Sequence, residues 1–332
     1  PAPNNNQSAL QFFIQPHLNL FYSNAKLDAF QTNLISRSLQ MKPTIIVDYL
    51  NQVGEGPLWH PYEKRLYWVD ITGGKMFWYE PTTQTHEQFF EGKTIGGFTI
   101  QKDGSFVLFM ENGSIASLKN NRMEYLLPEM EEERGMRFND VVTDPEGRIF
   151  AGTMHQNSDL ALTGEKLGNL YRIDKDISIH KVLEGTKIPN GMGFSLNHKK
   201  MYYTDSADRS IYSFDYDKNT GNISNQTALI TVDGDSGLPD GMTVDSNGDI
   251  WSASAGGSAL NQYSSEGVAK QSINFPALMV SSVTFGGDNL DDIYVTTIGG
   301  ENKKENGSGA GALFHLNLGI KGNPEFLSQI LI

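Results

Sequence analysis

The chain has 332 residues, 38% hydrophobic and 20% charged, with 34 glycines and no cysteine. This composition can bury a large core, and the missing cysteine excludes a disulfide framework, a thiolate nucleophile, cysteine-ligated zinc and an iron–sulfur cluster. Acidic residues outnumber basic ones by 39 to 26 for a formal charge of −13, a field that repels phosphate backbones and anionic lipid, so neither nucleic acid nor membrane is an expected partner.

Residues 1–40 stand apart. They are rich in Asn and Gln, carry scattered aromatics, and show neither a repeat nor a signal-peptide layout. They are expected to be an extension outside the repeats, with one domain over 41–332. A cytoplasmic chain is expected, or a secreted or periplasmic one if an upstream signal has been removed. No apolar run approaches the roughly 18 residues that span a bilayer.

From Met41 the run Lys-Pro-Thr-Ile-Ile-Val-Asp is β-type, and from residue 54 the sequence repeats itself. Leu58-Trp-His-Pro-Tyr-Glu-Lys-Arg-Leu-Tyr-Trp-Val-Asp70 reads as strand, turn, strand. Val142 to Thr153, Gly193 to Asp205 and Met242 to Ser252 have the same form, and weaker copies begin at Phe98 and Val283. Asp, Asn, Pro and Gly at the bends favour tight hairpins, and the flanking aromatic and β-branched residues favour strands. Third strands follow at Gly168–Asp174 and Arg209–Asp215. Six repeats start near residues 56, 97, 138, 190, 239 and 281, and an interval of about 40–50 residues is that of a four-stranded propeller blade. The expected fold is therefore all-β, a six-bladed β-propeller of four-stranded blades. Closure is expected to pair Thr44–Tyr49 with the last blade, or Phe326–Ile332 with the first.

Aligning the repeats on their turns places Glu55, Asn139, Asn190 and Asp240 at one shared position, five residues before each turn. The weaker repeats carry Gly96 and Ser281 there. Equivalent positions in a propeller form a ring about the axis. Two carboxylates and two carboxamides offer hard oxygens suited to Ca²⁺, Mg²⁺ or Mn²⁺. Any one Asn-Gly or Asp-Gly pair is a common turn former, but four oxygen-bearing residues in matching phase favour a site. Carboxylates crowded on one axis repel unless a cation or a shared proton compensates.

The same segments carry a resemblance. Gly54-Glu-Gly-Pro-Leu-Trp59, Arg137-Phe-Asn-Asp140 leading to Ala151-Gly-Thr-Met154, Pro189-Asn-Gly-Met192, Leu238-Pro-Asp-Gly-Met242, and Val283-Thr-Phe-Gly-Gly287 followed by Ile293-Tyr-Val-Thr-Thr297 occur in order over about residues 42–320. Together they are similar to the senescence-marker-protein/gluconolactonase/luciferin-regenerating enzyme family. The resemblance implies a six-bladed propeller that hydrolyses sugar lactones. It implies that Glu55, Asn190 and Asp240 are ligands of one divalent cation, Ca²⁺ first, with Zn²⁺, Mn²⁺ or Mg²⁺ as alternatives. It also implies that Arg137 and Asn139 face the substrate. Where animal members carry a substrate-contacting Glu shortly after the Gly-Thr-Met motif, this chain reads His155-Gln156-Asn157, so Asn157 is the substrate-facing candidate there.

The expected chemistry is hydrolysis of a small sugar lactone to an aldonic acid by a monomer or weak homo-oligomer. A cation would polarise the carbonyl and acidify water, with Asp240 as general base and Arg137 and Asn139 orienting hydroxyls or the developing oxyanion. Arg137 could instead pair with the acidic run Glu129–Glu133, itself expected to be a solvated face. His60, His155 and His198 lie in or beside turns and are expected to be solvated. The alternatives are a non-enzymatic calcium-binding propeller and a related calcium-dependent esterase or phosphotriesterase.

Overall fold

Apolar residues along whole strands, broken by short turns, leave each strand one solution: to be covered on both faces by neighbouring sheets. The inner strands Ile95–Ile100 and Pro189–Phe194 are buried at every residue, whereas the outermost strand Thr85–Glu91 is mostly exposed. Type I′-like turns, with positive φ at both Asn112 and Gly113, match the twist of the strands they join.

The computed structural model describes residues 42–301 and 303–332. The expected extension, 1–40, lies outside them. The described chain forms six four-stranded antiparallel sheets, the blades of a β-propeller. Their inner strands are Gly54–His60, Ile95–Ile100, Met136–Thr143, Pro189–Phe194, Leu238–Val244 and Val280–Gly286, in blades 1 to 6. Each begins within two residues of the repeat start read from the sequence. Closure follows the first of the two expected routes. Thr44–Val47 is the outer strand of blade 6, pairing with Leu313–Asn317.

The core is distributed between blades. Tyr67 and Val69 of blade 1 pack on Phe98 and Leu108 of blade 2, and Trp251 of blade 5 packs on Phe285 and Val295 of blade 6. Near the axis the inner strands approach backbone to backbone. A Cβ on Gly96 would lie 1.9 Å from the Phe138 carbonyl oxygen, and one on Gly241 would lie 2.1 Å from Ser282 Oγ, so only glycine fits at either place.

After Asn317 the chain leaves the blades and crosses the far ends of the inner strands. Gly322 N–H bonds the Leu290 carbonyl, Ser328 N–H the Ile100 carbonyl, Gln329 N–H the Gly147 carbonyl and Leu331 N–H the Lys175 carbonyl. Its Ile320, Phe326, Leu327 and Ile330 join four different inter-blade clusters. This strap ties blades 6, 4, 2 and 3 to one another, and it is not the pairing of Phe326–Ile332 with blade 1 that was the alternative expectation.

Two expectations about polar residues are corrected. His60 is buried, its Nε2 at 3.1 Å from the Gly104 carbonyl and its Nδ1 accepting the Glu63 N–H, because blade 2 packs over its turn. The acidic run forms a 3₁₀ turn, Glu131–Glu133, in which Glu133 is fully buried against Asn169 and Tyr171. Glu129 and Glu131 pair with Arg134, at 2.8 and 3.7 Å.

Candidate cation and substrate site

Every inner strand slips register against its neighbour at one depth: Glu55/Leu58, Ile95/Gly97, Phe138/Val141, Asn190/Met192, Pro239/Met242 and Val280/Ser282. A bulge bends a strand and re-aims a side chain. Each slip contains or borders the ring residue read from the sequence, so six equivalent bulges turn Glu55, Gly96, Asn139, Asn190, Asp240 and Ser281 to the same level of the channel.

Two of these residues, Asn139 and Asn190, are linked directly. Asn139 Nδ2 donates to Asn190 Oδ1 at 3.0 Å and to the Pro189 carbonyl at 2.7 Å. Arg137 NH1 donates to Asn139 Oδ1 at 2.6 Å and to the Phe138 carbonyl at 2.9 Å. Arg137 therefore faces the ring and not the acidic run. Asn190 Nδ2 donates to Ser206 Oγ at 2.9 Å, and that hydroxyl donates to the Pro239 carbonyl at 2.6 Å, joining blade 4 to the segment that precedes Asp240. Glu55, Asn139, Asn190 and Asp240 are all buried, at 5 to 8% exposure.

The electrostatics are unbalanced. Burial pushes the Glu55 carboxyl well above the usual range, and the charges of Asp240 and Asp140 push it further; the Gly56 N–H and Arg137 pull it down. Asp240 is raised well above its usual value by burial and by Asp140, against the Gly241 N–H and Arg137. Arg137 is lowered to about 10 by burial, held up only partly by Glu55 and Asp240. One guanidinium thus faces two carboxylates, Glu55 and Asp240, and the charge of Asp140 presses on both. Among the described residues no three His, Cys, Asp or Glu side chains form a cluster able to hold an ion, so amide oxygens would have to complete any ligand set. Two carboxylates with the oxygens of Asn190 and Asn139 fit a hard divalent cation, which would also relieve their repulsion.

Sequence reasoning missed Asp140, Glu325 and Ser206. The position after the ring residue reads Gly56, Gly97, Asp140, Gly191, Gly241 and Ser282, so Asp140 was the lone charge in that frame and could have been found. Burial raises its carboxyl to about 6. Glu325 comes from the strap. It accepts from Thr243 Oγ1 at 3.0 Å, and its carboxyl is raised by burial and by Asp140. Both line a cavity of about 50 Å³ below the ring, with Gly56, Met192, Met242 and Ser282, room for a few waters. Asn157 caps the single α-helix among the described residues, Ser158–Thr163, its Oδ1 accepting from the Asp159 and Leu160 N–H groups. The acceptor half of this carboxamide is thereby engaged. The segment leaves blade 3 after His155, which pairs with Met136 beside Arg137.

The family model described as the SMP-30/Gluconolactonase/LRE-like region matches residues 53–299. The chain belongs to that family. It is 41% identical over 297 residues to pentonolactonase XacC of Haloferax volcanii, covering 87% of this chain and 99% of the relative. It is 33% identical over 288 residues to regucalcin of Xenopus laevis, covering 85% and 96%. Among solved structures, a luciferin-regenerating enzyme superposes with a TM-score of 0.79 at 29% identity, covering 87% of this chain and 100% of that one. Of these relatives, the Haloferax protein is a lactonase by name. No helix among the described residues is long and apolar enough to cross a membrane.

Proposed function

We propose that this protein hydrolyses sugar lactones to aldonic acids at the ring, with one divalent cation held by Glu55, Asn190 and Asp240. The observation that carries the reading is the burial of Glu55 and Asp240 beside one arginine, with the charge of Asp140 acting on both, a repulsion that a bound cation would relieve. When bound, the cation would polarise the lactone carbonyl and acidify water. Asp240, its proton affinity raised by burial, takes a proton from the attacking water. The water oxygen bonds to the carbonyl carbon, the C–O bond of the ring ester breaks, and the released alkoxide takes back the proton held on Asp240, leaving the hydroxy acid. Arg137 has three N–H donors beyond its bonds to Phe138 and Asn139, and these favour the developing oxyanion. Asn139, fixed at both ends of its carboxamide, orients Asn190 and Arg137. Asn157 keeps its Nδ2 donor for a substrate hydroxyl.

Calcium is the first choice of cation because the donors are hard oxygens on separate strands. Five-carbon lactones are the first choice of substrate, after the name of the Haloferax relative. The test is a proton-release assay on pentonolactones, hexonolactones, acyl-homoserine lactones and aryl esters, with Ca²⁺, Mn²⁺ or chelator. Hydrolysis of the polyhydroxylated lactones, lost with chelator, is expected, since a site that bonds hydroxyls rejects analogues lacking them. Preference for the acyl lactones or aryl esters, or full activity in chelator, would overturn the reading.

A further inference from the structure

In blade 1 the second strand, Arg65–Asp70, ends opposite the residue before Glu55, pairing Asp70 with Gly54. In blade 4 the second strand, Lys200–Asp205, ends in the same register, pairing Asp205 with Pro189 before Asn190. Both carboxylates are buried, at 6 and 3% exposure, and both do the same thing. Asp70 accepts the Gln52 N–H on Oδ2 at 3.0 Å and the Val53 N–H on Oδ1 at 2.9 Å. Asp205 accepts the Lys187 N–H on Oδ2 at 2.9 Å and the Ile188 N–H on Oδ1 at 3.1 Å. The carbonyls of Val53 and Ile188 are held in turn by the N–H groups of Ile71 and Ser206, at 2.9 and 3.0 Å. So in each blade the peptide that enters the ring strand is gripped on both edges, two to three residues ahead of the ring side chain.

The corresponding position in the other blades is Met110, Thr153, Ser254 and Thr297, opposite Ile95, Phe138, Pro239 and Val280. None is a carboxylate. Ser254 reaches its own entering segment through one bond, Oγ to the Ser236 carbonyl at 2.7 Å. The forks therefore occur in two of the three blades assigned cation ligands and in none of the others. Bonds from backbone N–H to a carboxylate are charge-assisted, and two on one group fix a direction as well as a distance. The need is local: Glu55 is repelled by Asp240 and Asp140, and an unbraced entry segment would relax to relieve it.

We infer that Asp70 and Asp205 are positioning residues, which hold Glu55 and Asn190 at ligand geometry before any cation arrives. This rests on the cation reading above for its consequence, though not for its geometry. An amide in place of either carboxylate keeps the volume, but it leaves one acceptor oxygen and sets an NH₂ against a backbone N–H.

The experiment compares Asp70→Asn and Asp205→Asn with Asp144→Asn. Asp144 is a fully buried fork at the far end of blade 3, accepting from the Glu146 and Arg148 N–H groups at 2.8 and 2.9 Å and from Arg148 Nε at 2.6 Å. Calorimetric titration with Ca²⁺ should show affinity falling about 10- to 100-fold in the first two variants, the range of other supporting-residue losses, and unchanged within about twofold in the third. In chelated protein, amide exchange should quicken over 51–56 in Asp70→Asn and over 186–191 in Asp205→Asn, each without effect on the other segment. Unchanged exchange at those segments would overturn the inference, as would loss of Ca²⁺ affinity in all three variants in step with melting temperature. Wild type that takes up no Ca²⁺ would overturn the cation reading instead, and the exchange measurement would still decide the brace.

Discussion

Blades 1 and 2 have the same four strands, share one hydrophobic cluster around Tyr67, Phe98 and Leu108, and slip register at the same depth. At that depth blade 1 presents the buried carboxylate of Glu55, and blade 2 presents Gly96, with no side chain at all. Gly96 is no vacant seat, because the Phe138 carbonyl occupies the place of its Cβ and lets the strand bearing Arg137 and Asn139 close on the axis. The frame and the ring are therefore separable. Alternating apolar residues and turns build six similar blades, and the residue at each register slip sets what that blade contributes at this depth.

That separation can be broken from either side. The largest effect is expected for Asp240→Ala: turnover falls about 100- to 10,000-fold, the usual contribution of a general base, and cation uptake is lost. Its melting temperature in chelator should be unchanged or higher, since a repelling carboxylate has gone; a fall of several degrees would make Asp240 part of the frame. Arg137→Ala should lower kcat about 100- to 1,000-fold, as removal of an oxyanion donor does, and leave cation affinity nearly untouched. Steady-state kinetics beside calorimetry separate the two roles, and a kinetically silent Arg137→Ala would remove it from the site.

Frame substitutions should do the reverse. Ile330→Ala, in the strap and 1% exposed, should cost about 2–5 kcal/mol in urea unfolding, as for other buried isoleucines, with the KM of remaining folded enzyme unchanged. Gly96→Ala puts a methyl against a backbone carbonyl and should cost about 1–3 kcal/mol. It tests the junction between frame and ring, so activity should fall with stability there and not at Ile330.

The smallest effect is on pH dependence. Burial pushes the Asp140 carboxyl up to about 6 in the fold, against about 3.9 in an unfolded chain. Between those values the folded chelated protein binds more protons than the unfolded one, so stability falls as pH rises from about 4 to about 6. Asp140→Asn should flatten that slope in urea titrations, and an equal slope in both proteins would show that Asp140 is ionised throughout.

Much of this was legible from local pattern. The turns at His60, Asp144, Ser195 and Asp245 are set by neighbours in sequence, so counting back from them reaches the register slips at or beside Glu55, Asn139, Asn190 and Asp240. What escaped was decided by contacts distant in sequence. His60 looks like a turn residue until Gly104 of the next blade covers it. Glu325 has no periodic context and enters the channel only because the strap runs there. Asn157 follows a strand end like any loop residue, and its capping role depends on the helix that Ser158–Thr163 forms after it. Asp70 and Asp205 were visible as ends of two repeats, but their forks depend on loops 17 or 18 residues earlier.

The most direct test of the central claim is anomalous diffraction from crystals of chelator-stripped protein soaked in Mn²⁺. A single peak within about 2.0–2.6 Å of carboxylate or amide oxygens of Glu55, Asn190 and Asp240 is the predicted result. A peak elsewhere, or none at saturating Mn²⁺, would contradict it.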